Sequence, residues 1–129
     1  MRSSVDTEAG GRTPADIVAR IKDQDRAVRE DAAIELMEAA RPEHAVELCA
    51  MLADSDISVR NLVAEILVKM GMSASEALIK ESTSDDNDVR KFVVDTMASI
   101  GDRRFVPVLI ELLNDPNENV VCSAAEAIT

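Results

Sequence analysis

From residue 13 onward, apolar positions form short helical stripes that return at a nearly constant interval. Val28, Ala32, Leu36 and Ala39 are separated by four, four and three residues. At 100° per residue they share one face of an α-helix. The stripe reappears as Val59, Val63, Leu67 and Met70, then as Val89, Val93, Met97 and Ile100, and opens again at Val120 and Ala124. The leading Val residues lie 31, 30 and 31 positions apart, a period that marks a solenoid of repeated units.

A second, shorter stripe precedes each of these. Ile17, Leu48, Leu78 and Leu109 stand eleven residues before the leading Val, and Ile21, Leu52, Ser82 and Leu113 stand seven before it. Each repeat therefore contains two helices, joined by runs such as DSD (54–56), SDDND (84–88) and DPNEN (115–119). Asp and Asn in those runs suit the free N–H groups and the positive dipole end of the next helix. Thr13 with Pro14, and Pro42, mark helix starts. Ser73-Ala74-Ser75-Glu76 reads as a capping box, and Gly71 and Gly101 as left-handed helix ends. Together these signals predict helices over 14–23, 26–40, 42–53, 57–70, 74–83, 88–100, 104–114 and 118–129. The expected fold is all-α, an α-α superhelix of about four repeats, near 13–40, 41–71, 72–101 and 102–129. Residues 1–12 carry no period and are expected to form a flexible tail. Glu81 and Ser82 interrupt the aliphatic pattern, so the first helix of the third repeat is expected to be the least firmly packed.

The formal charge of −11 excludes nucleic acid as the main partner, because phosphates must be neutralised by Lys and Arg. It also disfavours an anionic membrane surface. Acidity serves solubility and leaves room for a basic protein partner. The only aromatics are Phe92 and Phe105, so the core must be aliphatic. Two cysteines, Cys49 and Cys122, make neither a disulfide framework nor a metal cluster, and with the lack of an apolar leader they point to the cytoplasm.

The stretches 47–71 (ELCAMLADSDISVRNLVAEILVKMG) and 101–120 (GDRRFVPVLIELLNDPNENV) resemble the short HEAT-like repeats first described in phycobilisome lyase subunits. The shared features are Gly-Asp, a Val-Pro-x-Leu helix, an acidic turn and a Val-Arg-led helix ending in Gly. The resemblance spans 14–129 and implies a right-handed solenoid with its second helices on the concave face. It also implies that the Arg column ties repeats together through the acidic turns. Val121 departs from the pattern by replacing that Arg, and Glu35 occupies a position that is usually small and apolar. Longer tetratricopeptide and ankyrin repeats would show signatures that are absent here.

Because the resembling repeats are mostly scaffolds, the expected function is non-catalytic protein binding, with no cofactor or metal. His44 is the only histidine and lacks convergent ligands, and the repeated His-Glu pairs of the HEAT-like deoxyhypusine hydroxylases are missing. The basic and aromatic face of the HEAT-like DNA glycosylases is missing too. Cys49 reads as a small buried hydrophobe. On the second helices, Glu30, Ile34, Met37, Asn61, Leu62, Glu65, Val68, Lys91, Phe92 and Asp95 form the candidate partner-binding face. Superhelical twist that buries Leu62, Val68 and Phe92 between repeats is the alternative. Asp25, Arg29, Asp56, Arg60, Asp86 and Arg90 are the expected inter-repeat ladder. A subunit of a bilin lyase-like complex, or a module of a larger signalling protein, stays open as another function. The last helix runs out at Thr129 without a polar closing face, so self-association or further repeats are expected at that end.

Overall fold

The computed structural model describes residues 14–129; the expected tail and the Thr13 cap lie outside them. The described residues form eight α-helices. They are α1 (Pro14–Ala19), α2 (Arg26–Ala39), α3 (Pro42–Ala50), α4 (Ile57–Met70), α5 (Ser75–Glu81), α6 (Asn87–Ile100), α7 (Val106–Leu112) and α8 (Glu118–Ile128). They pair as α1/α2, α3/α4, α5/α6 and α7/α8. The second members α2, α4, α6 and α8 pack in succession, and α1, α3 and α5 form a second layer against them. The fold is an all-α solenoid.

The first helices are shorter than the apolar stripes predict, because one turn of each winds as 3₁₀-helix. These turns are Arg20–Lys22, Met51–Ala53, Gly71–Ala74 and Arg103–Phe105. Tightening of this kind satisfies backbone groups left over at helix ends. The capping box expected at Ser73 does not form. The segment Gly71–Ala74 is a 3₁₀ turn, α5 begins at Ser75, and its N-cap position is Ala74, which has no side chain to cap with. Pro42 does open α3.

The acidic columns between helices have distinct tasks. Asp25, Asp56, Asp86 and Asn117 each cap the helix they precede, accepting from the N–H of Ala27, Ser58, Asp88 and Asn119 at 2.8–2.9 Å. Two residues earlier, Asp23, Asp54, Ser84 and Asp115 accept from the N–H of those same cap residues. Each turn is thus held by two successive side-chain acceptors, which is why both columns recur in register.

Gly71 (φ 58°, ψ −125°) and Gly101 (φ 72°, ψ 27°) end α4 and α6. Only Gly101 is in the left-handed helical region; Gly71 occupies a conformation that side-chain-bearing residues strongly avoid. A Cβ at residue 71 would meet nothing within 4 Å, so any cost of Gly71→Ala is backbone strain. That variant is expected to lose about 1–3 kcal/mol of unfolding free energy in a urea titration.

The core follows the predicted stripes. Ile21, Leu36, Leu48, Leu52, Leu67 and Leu78 are essentially fully buried, as is Phe105. Ser82 is buried as well, and its hydroxyl donates to the Ile79 carbonyl, so the expected weak point in α5 is satisfied within its own turn. The outer side of the first pair is polar: Asp16 and Asp31 are exposed, and Arg20 pairs with Glu35 at 3.2 Å. Glu35 is unusual for its column because no earlier described helix covers it.

Candidate protein-binding face

Two open grooves lie between successive second helices. The first, about 460 Å³, separates α2 from α4 and is lined by Arg29, Glu30, Ser58, Asn61, Leu62 and Glu65 among others. The second, about 340 Å³, separates α4 from α6 and is lined by Asn61, Ala64, Glu65, Val68, Phe92 and Asp95 among others. Asn61 and Glu65 line both, which makes α4 the wall the two grooves share.

Seven of the ten candidate face residues gather here: Glu30, Asn61, Leu62, Glu65, Val68, Phe92 and Asp95. Leu62 and Phe92 are half-buried against the core, Leu62 lining the first groove and Phe92 the second. Val68 is half-buried too. Met37 packs partly against the core, and Lys91 pairs with Asp95 at 2.9 Å. Ile34 is 54% exposed and lines neither groove. A further groove of about 370 Å³ opens on the first-helix side, between α1 and α3, lined by Val18, Lys22, Glu47 and Asp54 among others.

The three residues of the Arg column each meet a different environment. Arg90 makes a bidentate pair with Asp115 of the next repeat, Nε to Oδ2 at 2.8 Å and one terminal nitrogen to Oδ1 at 3.0 Å. It also donates to the Ser84 carbonyl at 2.8 Å and to Asn87. The two side chains are only 10% and 5% exposed. The Arg90 guanidinium holds the Asp115 carboxyl below the usual carboxylate range, against the opposing push of burial. For Arg60 the next repeat has Ser84 at the position that Asp115 holds, and the carboxylate that feels its charge is Asp54 of its own repeat. Arg60 lies over the Phe92 ring, 5.2 Å from the centroid, and its buried Nε has no hydrogen-bond partner. Between the first two repeats the turn acid Asp54 pairs with Lys22 at 2.8 Å, which lowers its pKa, and Arg29 lines the first groove. Asp25, Asp56 and Asp86 serve as helix caps, and among the described residues none of them makes an ion pair with Arg29, Arg60 or Arg90. The carboxylate that meets Arg90 belongs to the column two residues before the caps.

His44 is buried, and its Nδ1 accepts the Arg41 N–H at 2.9 Å, closing the first turn of α3. Burial pushes the Cys49 thiol up to about 12, so it is a poor source of thiolate. Cys122 is exposed. Among the described residues no three His, Cys, Asp or Glu side chains gather as a metal site, and no helix is long and apolar enough to cross a membrane.

No curated protein matches the chain. Among solved structures it is similar to the crystal structure of an engineered protein, with 22% identity over 89% of this chain and a TM-score of 0.46. The chain spans 60% of that structure's length. Residues 75–129, covering α5 to α8, match the family model for HEAT repeats. The protein is an all-α solenoid whose C-terminal two helix pairs match the HEAT-repeat family.

Proposed function

We propose that the protein is a non-catalytic cytoplasmic scaffold whose second-helix face, concave in the resembling repeats, binds a basic protein segment. The observation that carries this reading is the pair of adjoining grooves sharing Asn61 and Glu65. Leu62 lines the first and Phe92 the second, Glu65 stands on the shared wall, and Glu30 and Asp95 lie at the rims in ion pairs with Arg26 and Lys91. Apolar surface ringed by charge offers desolvation at the centre and electrostatic selection at the rim. A chain of charge −11 attracts a cationic partner before contact. The 30–31-residue period and the Val-Arg anchors support the short phycobilisome-lyase type of repeat within the broader HEAT group.

The double reversal Glu65→Lys/Asp95→Lys tests the face. Both side chains are exposed, so helicity by circular dichroism should be unchanged. Capture of a partner from lysate should fall by roughly tenfold or more, and capture by the parent protein should weaken with added salt. Undiminished capture by the reversed protein would place the binding surface elsewhere.

A further inference from the structure

The three junctions between repeats are not fastened alike. Lys22 of the first repeat pairs with Asp54 of the second at 2.8 Å. Arg90 of the third repeat holds Asp115 of the fourth, and Arg104 of the fourth donates to the Ser75 hydroxyl at 3.0 Å. In both junctions the acid stands five residues before the anchor Val of the incoming repeat. At the junction between the second and third repeats that position is Ser84. No ion pair spans this junction among the described residues.

The cation for such a pair is nevertheless in place. Arg60 is the register equivalent of Arg90. The Nε of Arg90 donates to Asp115 at 2.8 Å, whereas the Nε of Arg60 is buried without a partner. The Arg60 guanidinium lies over Phe92, a residue of the third repeat, so it already leans across the junction. The acid of its own repeat, Asp54, is committed to Lys22. A second guanidinium adjoins Ser84, since Arg90 donates to the Ser84 carbonyl at 2.8 Å. Ser84 is half-buried and lies outside any helix, and its hydroxyl accepts the Asp86 N–H at 3.1 Å. Asp54 and Asp115 accept the corresponding bond through a carboxylate oxygen. The position is thus surrounded as for an anion and carries a hydroxyl instead.

We propose that Ser84 is a phosphorylation site whose phosphate closes the second junction onto Arg60. In the transfer, Ser84 Oγ attacks the γ-phosphorus of a nucleoside triphosphate held by a protein kinase. The bond to the β-phosphate oxygen breaks, nucleoside diphosphate leaves, and the hydroxyl proton passes to a base of the kinase. Asp85, Asp86 and Asp88 follow the serine, so the enzyme is one that prefers acidic sequences. The product carries a charge of about −2 next to the N-terminus of α6 and opposite the unpartnered guanidinium. Those three acids and Asp54 repel the added charge, so the gain on phosphorylation depends on Arg60. The clamp stands or falls independently of partner binding in the grooves.

Magnesium ATP and an acid-directed serine kinase, applied to the full chain, should add phosphate at Ser84, located by peptide mass spectrometry. The chain with Ser84→phosphoserine installed during synthesis should melt roughly 3 °C or more above the parent by circular dichroism. In Arg60→Met the same modification should lower the melting temperature, because only repulsion remains. If that variant does not fold, Thr83→phosphoserine, at the exposed neighbouring position, decides the matter and should give no gain. A Ser84 left unmodified by the kinase, no rise with phosphoserine at 84, or an equal rise in Arg60→Met or Thr83→phosphoserine would each overturn the proposal.

Discussion

Replacing Arg90 with Ala is expected to lower the unfolding free energy by about 3–5 kcal/mol, the usual cost of removing one member of a buried ion pair. The loss comes chiefly from the Asp115 carboxylate, left only 5% exposed with no cation beside it. The Ser84 carbonyl and Asn87 lose a donor as well. Arg90→Lys should recover only part of the loss, because an ammonium cannot reproduce the two parallel bonds to one carboxylate. Exchanging both partners for aliphatics, as in Arg90→Met/Asp115→Leu, should cost far less than Arg90→Ala alone. Urea titrations of the four proteins measure the differences.

The same pair sets an acid response. The Asp115 pKa is lowered in the folded protein, mainly by Arg90, so its contribution is fully present above the unfolded carboxylate value. It is lost as pH falls from about 4 through the lower folded value. Asp115→Asn should therefore be less stable than the parent at neutral pH and should lose less on acidification. The slope should shrink without vanishing, because Lys22 and Arg104 lower Asp54 and Asp102 in the same way.

Phe105→Ala is expected to cost about 3–5 kcal/mol, the range for truncating a buried aromatic. Phe105 and the Arg90–Asp115 pair together anchor the fourth repeat. The ring is fully buried in the turn that opens α7, at a column occupied by His44 and Ala74 in the preceding two repeats. Truncation would leave a cavity that the short α7 cannot collapse without shifting against α8. In a solenoid each repeat leans on its neighbours, so the melting temperature of the whole chain should fall by many degrees. Phe105→Leu should restore most of it, since about 1.5 kcal/mol bounds the usual cost of a near-isosteric apolar exchange.

Helix number, pairing and core were legible because a repeat states its pattern several times over. One apolar stripe would be ambiguous; the same stripe at 31, 30 and 31 residues is not. The candidate face was legible as a set of positions, since offsets from the anchor Val place residues on one side of a helix. Its relief was not. Leu62 and Phe92 are half-buried and line grooves between successive second helices, and helical phase alone says nothing about the distance between those helices. The Arg ladder shows the same limit. Arg29, Arg60 and Arg90 share one offset, yet their partners depend on what the next repeat places opposite: Asp115 for Arg90, the Phe92 ring for Arg60, and a groove wall for Arg29.

By itself the sequence determined the all-α repeat, its register, and the acid-rich turns that cap each second helix, because these depend on local chemistry within one helix pair. Only the tertiary structure decided which acid pairs with Arg and which apolar residues line the grooves. Those outcomes depend on contacts between repeats, where one side chain's environment is set by residues about 30 positions away.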